Sequence, residues 1–541
     1  MCLKAVRARL FLALQPHLCV YSMSGKLPAG SVLRMGTSRA HHAESLFDAD
    51  GNRTSVTDNS GTTSYVYDTL NRLTDQFVIA HDDACGTNPG IHLTYDAAAN
   101  LSTYCNANGT TTYGYDAANE LTSLAEPGGS CTGTVSLCTT FAYNSDGDRT
   151  TTTFPGSATL TSGFDNASNE TSIVGASSTP STLTSFSYAY SVGTADKAIV
   201  QSVTDAHAST TTSYGYNALD QLTSAATSPG STLDYSYDGA GNRCSTTTSC
   251  SSPTYTYNSA NQLTSGPAGS YTYDSSGQET SSPQLSNLTE NVKDQTSSVT
   301  PSGSSAETLT YNGTGQFLLT GDGSTAITTG PVGLDSSSTG GTTTYYVFDP
   351  QGNILGEEIG SSHYYYLKDR LGSVVAVING SGSTVSDRYA YDPYGNVTSS
   401  SGSVANNIGY VGGWQDSVTG LEKFGARWYD ATTGRWTQVD PIVANDAASS
   451  GYAFAGDNPV NLVDPSGELS AVAIGLIVAA VGVTIATLGV GSLLAVGGID
   501  GLAAILGAEG TTVAPSAIAA FIGGGVLTGI GDAIASIGSI F

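Results

Sequence analysis

A short motif, aromatic–X–Tyr–Asp/Asn, recurs from Phe47 to about residue 353 and restricts the fold more than any other feature of the chain. Copies include YVYDTLNRLT (65–74), LTYDAAANL (93–101), YGYDAANELT (113–122), FAYNSDGDRT (141–150), YGYNALDQLT (214–223), YSYDGAGNR (235–243), YTYNSANQLT (255–264), YTYDSSGQET (271–280) and YVFDPQGN (346–353). Side chains alternate along a strand, so the two aromatic rings of each copy share one face. Asp or Asn then leaves the strand, because its short side chain caps a turn and tolerates left-handed backbone. A small residue or glycine completes a hairpin, and Leu-Thr resumes the strand. One such unit buries a single aromatic face, so neighbours must stack before a core closes. The pattern predicts an all-β chain built as a continuous, curved antiparallel hairpin array over residues 47–467. The Ser/Thr/Gly-rich stretch 281–345 reads as degenerate repeats, since YNGTGQFLLT (311–320) keeps the pattern.

Charge narrows the partners. The chain carries 18 Lys+Arg against 45 Asp+Glu, a net charge of −27. Residues 1–40 hold six of those cations and no anion, so the repeats themselves are more acidic still. Such a surface repels nucleic acid, which is set aside as a partner. The pairs Cys131/Cys138 and Cys244/Cys250 flank Ser/Thr-rich hairpin tips and fit either local disulfides or free thiols. With no CxxC and scattered histidines, the sequence offers neither a metal set nor a cofactor motif. At the N-terminus, Pro16 and His17 interrupt the short apolar run Leu10–Leu14, so residues 1–46 are read as poorly defined rather than as a signal peptide.

A denser stretch follows at 363–467, with six of the Lys+Arg and the tryptophans Trp414, Trp428 and Trp436. It contains, in order, DRLGS (369–373), YDPYGN (391–396), TGLEKFGARWYD (419–430), TGRWTQVDP (433–441) and NPVNLVDPSG (458–467). Together with the Tyr-Asp repeats, these motifs resemble the Rhs/YD-repeat family, which includes toxin-complex C subunits and teneurins. The last stretch resembles that family's RHS repeat-associated core. The resemblance implies a β-shell of YD repeats over 47–362 and a core over 363–467. It also implies self-cleavage by an aspartic-protease-like site near the end of the shell. Carried over residue by residue, Arg427 and Asp440 match the family's arginine and first aspartate, and Asp464 matches the aspartate of its DPxG motif. Two carboxylates beside a cation suit general acid–base chemistry on a peptide bond. The same aspartates, each before a proline, also suit simple turns.

The implied cut lies at Gly467, Glu468 and Leu469. The family usually has Leu or Met after DPxG, whereas this chain has Glu468. A charged glutamate in an apolar pocket costs several kcal/mol unless it is protonated or paired.

Beyond Gly467 the composition changes to an apolar tail, 468–541. Leu469–Ile499 carries no charge over 31 residues, and a second run follows before Asp532. Segments 469–499 and 513–531 are predicted as membrane helices, with Gly475, Gly482 and Gly489 spaced every seven residues and a GxxxG at Gly525/Gly529. The fold expected is therefore a YD-repeat β-shell followed by an apolar α-helical tail. Three readings follow for a secreted or surface-located, membrane-associated protein. In the first, the shell encloses and delivers a membrane-active C-terminal effector, with an immunity protein or a cell-surface receptor as partner. The second is a non-enzymatic surface adhesion protein anchored by the tail, and the third a truncated Rhs remnant.

Overall fold

The structure, a computed structural model, describes residues 32–35, 43–58, 61–77, 90–177, 181–192, 195–196, 199–313, 318–440 and 450–468. Among these residues the chain is strands, turns and three short 3-10 turns at Pro155–Ser157, Tyr410–Gly412 and Ala455–Asp457. No helix among them is long and apolar enough to cross a membrane. The expected helices 469–499 and 513–531 lie outside the described residues.

Each Tyr-Asp copy builds the same five-residue turn. In the copy at 68–72, Asp68 Oδ1 accepts hydrogen bonds from the amides of Leu70 (2.8 Å) and Arg72 (3.0 Å). The Asp68 amide donates to the carbonyl of Arg72 at 2.9 Å, and the Asn71 amide to the carbonyl of Asp68 at 3.0 Å. The fourth residue is left-handed, φ 60° at Asn71, 64° at Asn119 and 80° at Gly241. Asn, Asp and Gly reach that region at little cost, which explains their recurrence there. A register shift precedes the turn, between Val66 and Tyr67, so the second tyrosine sits at a bulge that increases local twist.

That tyrosine does what its ring alone does not. Its hydroxyl crosses to the preceding unit and donates to the carbonyl of the first residue after that unit's turn. Tyr67 bonds Arg53 (3.0 Å), Tyr95 bonds Leu73 (2.8 Å), Tyr115 bonds Leu101 (2.9 Å) and Tyr143 bonds Leu121 (3.0 Å). The pattern continues with Tyr237 to Leu222 (2.7 Å), Tyr257 to Arg243 (2.7 Å), Tyr311 to Thr296 (2.8 Å) and Tyr391 to Val374 (3.0 Å). Turn side chains add a second ladder, with Asn100 Nδ2 donating to Asn119 Oδ1 and Asn242 Nδ2 to Asn261 Oδ1, each at 2.9 Å.

Strands pair antiparallel, nearly all with their sequence neighbours; Thr182–Ala189 instead pairs with Ser202–Asp205, past the separate hairpin of Ser191–Val192 and Ala195–Asp196. One sheet of eighteen strands runs from Val32–Met35 to Thr232–Asp234, and another of twelve from Leu285–Glu290 to Val397–Ser401. The second passes through residue 363 without interruption, and DRLGS and YDPYGN are two more turns of the repeating kind. The expectation of one continuous array is corrected between 236 and 281. Turns there follow so closely that strands shrink to two to four residues and form separate small hairpin sheets. The described residues of 281–345 form regular strands joined by turns, and Asn291–Gln295 repeats the turn, with Asn291 Oδ1 accepting from the Lys293 amide at 2.8 Å.

The two large sheets share one apolar core, with Leu93, Tyr104 and Leu124 packing in the same cluster as Leu288, Tyr365 and Ile378. Buried polar pairs fix their register: Tyr104 to Asp335 (2.9 Å), Tyr365 to Glu126 (2.6 Å) and Arg149 to Asp349 (3.2 Å). Cys131–Cys138 and Cys244–Cys250 are paired as disulfides, with Cα atoms 5.2 and 5.6 Å apart, in line with the first of the two alternatives left by the sequence.

If the hydroxyl staple matters beyond the ring, Tyr115→Phe should lose about 1–2 kcal/mol, the cost of an unpaired buried carbonyl. Leu219→Ser, at a turn tip where the side chain is 79% exposed, serves as the silent control. Urea unfolding of both variants reads the difference; equal midpoints for Tyr115→Phe and wild type would show the hydroxyl to be idle.

Candidate functional site

Residues 414–440 and 450–468 are laid across the turns of earlier units. Gln221 donates to Asp457 Oδ2 (3.0 Å), Arg435 donates to the carbonyl of Asn261 (2.8 Å), and the Glu279 amide donates to the carbonyl of Thr437 (2.9 Å). Tyr452 donates to the carbonyl of the turn glycine Gly277 at 2.6 Å, and the Val200 amide donates to Asn461 Oδ1 at 2.8 Å. Turn ends that carry polar groups thus become the support on which residues 427–440 and 450–461 are positioned.

Within that segment a small antiparallel sheet joins Trp414–Gln415, Glu422–Phe424, Arg427–Asp430 and Arg435–Trp436. A two-residue connection, Gly425-Ala426, places Arg427 opposite Phe424. Gly425 has no room for a side chain, since a Cβ there would lie 1.9 Å from the carbonyl oxygen of Ser466. The Ala426 amide donates to that carbonyl at 2.7 Å. The DPSG loop is therefore docked directly on the strand connection before Arg427. Inside the loop, Ser466 Oγ donates to Asp464 Oδ1 (2.9 Å) and accepts from the Glu468 amide (3.1 Å).

Arg427 is the hub. Its Nη2 reaches Asp440 Oδ2 at 3.2 Å and Asp464 Oδ2 at 3.1 Å. Nη1 donates to the carbonyl of Gly451 at 3.1 Å, and Nε donates to the carbonyl of Gly467. The guanidinium stacks on Trp436, 4.2 Å from the ring centre, where the ring face favours a cation. All three charged residues are buried, with exposures of 2%, 4% and 1% for Arg427, Asp440 and Asp464. Burial pulls the guanidinium down, and the two aspartates pull it back toward the charged form. Thus Arg427, Asp440, Asp464 and Gly467 meet in one place, from motifs up to 40 residues apart. Glu468 lies half-buried beside them, and Leu469 lies outside the described residues.

The surroundings of Glu468 are charged rather than apolar. Arg427 and Lys423 both interact electrostatically with it. Lys423 is buried, donates to the carbonyl of Gly425, and is pushed down to about 7 by burial, with Glu290 and Glu468 opposing the shift. Glu290, itself pushed up to about 8 by burial, accepts from Thr296 Oγ1 at 2.8 Å. Neither Lys423 nor Glu290 was singled out from sequence. Glu290 left one trace: it occupies the position before the turn Asn291 where other units carry tyrosine.

With this geometry in hand, comparison with known proteins points to one family. The family profile of the teneurin YD-shell matches residues 196–317 and 336–460, and that of the RHS repeat matches 47–76 and 95–130. The chain belongs to the Rhs/YD-repeat family. It is 28% identical over 276 residues to tRNA nuclease WapA of Bacillus subtilis, covering 47% of this chain and 12% of that protein. It is 33% identical over 129 residues to teneurin-3 of Danio rerio, covering 23% of this chain and 5% of that one. The match thus spans a small fraction of either relative's length. Among solved structures, the TcdB2-TccC3 crystal structure aligns with a TM-score of 0.62 at 16% identity, over 79% of this chain and 26% of that one, a likeness of fold.

Buried acids give the folded chain a defined pH response. Burial pushes Glu290 and Glu357 up to about 8, Asp457 to about 7 and Asp322 to about 6. These groups hold protons in the folded state that the unfolded chain releases near pH 4, so their contribution is complete below about pH 4 and is lost as pH rises toward 8. Lys423, lowered to about 7, is charged in both states below that value and so adds little between pH 5 and 7. The urea midpoint should therefore be higher at pH 5 than at pH 7, and a midpoint that rises over this interval would contradict the assignment.

Proposed function

We propose that this chain is a YD-repeat shell protein, secreted or at the cell surface, that carries its apolar C-terminal region as a membrane-active effector. Release is by aspartic autoproteolysis at the junction 467–469. The observation that carries the reading is Arg427, bonded at once to Asp440, Asp464 and the carbonyl of Gly467.

The chemistry follows from those contacts. Arg427 fixes the peptide at Gly467, so the chain leaves the loop beside the two carboxylates. One carboxylate takes a proton from water as its oxygen adds to the carbonyl carbon of Glu468. The tetrahedral species collapses as the carbon–nitrogen bond breaks, and a carboxylic proton passes to the nitrogen of Leu469. Arg427 holds both acids in place and balances their charge, and burial excludes bulk water from the pair. In this reading Glu468 is accommodated by Lys423 and Arg427, which takes the place of the apolar contact expected for Leu or Met.

The test is the mass of the purified full chain over time. Wild type should yield a C-terminal fragment beginning at Leu469 or one residue later. Asp440→Asn keeps the size of the side chain and should slow release about 10²–10⁴-fold, the usual worth of a general acid or base. Arg427→Ala is a poorer probe, since two buried carboxylates left without their cation cost about 3–5 kcal/mol of stability. Wild type that stays intact through long incubation would sink the enzymatic reading and leave a non-enzymatic surface interaction protein.

A further inference from the structure

Away from the arginine hub, three carboxylates from three separate elements converge: Glu307 on Glu307–Tyr311, Asp322 at the end of Leu319–Asp322, and Asp416 just after Trp414–Gln415. Asp322 pairs across the sheet with Leu309, which puts Glu307 two residues along the same face. One oxygen from each of the three lies within 4.8 Å of the others. Asp322 is 8% exposed and Asp416 3%.

The hydrogen bonds of this cluster are incomplete in a specific way. Asp322 Oδ2 accepts from Trp414 Nε1 at 2.8 Å, while its Oδ1 is buried with no partner. Glu307 Oε2 is likewise buried and unpartnered. Asp416 is held by its own turn, accepting from the amides of Val418 (2.9 Å) and Thr419 (3.3 Å) and from the Thr419 hydroxyl. None of the three makes an ion pair with a lysine or arginine among the described residues. Instead, Asp416 acts on both Glu307 and Asp322 with like charge. Buried acids normally have a cation or a full set of donors, and this group has neither.

We propose that Glu307, Asp322 and Asp416 form a binding site for a hard divalent cation, Ca2+ in preference to Mg2+. The donor set is oxygen only, without sulfur or imidazole, which disfavours zinc and other softer metals. Three protein carboxylates from separate elements suit Ca2+, which takes about six to eight oxygen ligands in flexible geometry, better than Mg2+, which demands a near-ideal octahedron and usually keeps several waters. The ion would meet the orphaned oxygens of Asp322 and Glu307. It would also tie the twelve-stranded sheet to the small sheet that carries Lys423 and Arg427.

Trp414, bonded to one of the ligands, supplies the readout. The probe is Tb3+, which replaces Ca2+ at oxygen sites, added to the EDTA-treated full chain with tryptophan excitation. Sensitised terbium emission is expected, displaced by Ca2+ at lower concentration than by Mg2+. Glu307→Gln should weaken Tb3+ binding at least tenfold; this side chain is half-exposed and its Oε2 has no bond to lose. Trp414→Phe should remove the emission. Absence of emission from wild type would overturn the proposal. So would emission that survives Trp414→Phe, or an affinity unchanged in both Glu307→Gln and Asp322→Asn.

Discussion

A phenol hydroxyl bonded to a backbone carbonyl of the preceding unit is the interaction on which this molecule depends. The Asx-type turn by itself gives isolated hairpins, and isolated hairpins are marginal in water. What links many of them is the second tyrosine of the unit, which reaches back to the carbonyl just after the previous turn. Phenylalanine supplies the same ring and cannot make this bond, which gives a physical reason for 30 tyrosines against 13 phenylalanines. The bond is local in sequence, repeated, and indifferent to what the strand tips carry. Tips of variable length are therefore tolerated without loss of register.

The site depends on the same device. Turn ends stacked by the staples present a row of carbonyls and amide side chains, and residues 427–440 and 450–461 bind along that row. Tyr311, a staple tyrosine, also accepts from Trp428 Nε1 at 3.0 Å, one residue from Arg427. The burial that sharpens the Arg427 cluster is thus provided by units more than 100 residues earlier. A charged hub in such a place is costly unless fully bonded, and Arg427 spends donors on two carboxylates and two carbonyls.

Much of this was legible in the sequence, and the limits have identifiable causes. The Tyr-Asp spacing announced antiparallel hairpins, and family motifs brought Arg427, Asp440 and Asp464 forward before any geometry was known. The hydroxyl staples were not legible, because alternation specifies which face a ring takes and is silent on where its oxygen points. The break into small sheets at 236–281 was visible only as short spacings. Glu290 and Lys423 were missed since their proximity to Glu468 arises from the crossing of distant segments, which no local pattern encodes. The acids Glu307, Asp322 and Asp416 have no common motif, and only the packing of two sheets unites them.

The most direct test of this account reads the donors themselves. The tyrosine Fermi doublet in the Raman spectrum distinguishes phenols that donate a strong hydrogen bond from those that mainly accept one. The native chain should show the donor pattern for its tyrosine population as a whole, and unfolding in urea should abolish it. A native doublet indistinguishable from that of the unfolded chain would mean that the hydroxyls do not hold the repeats together.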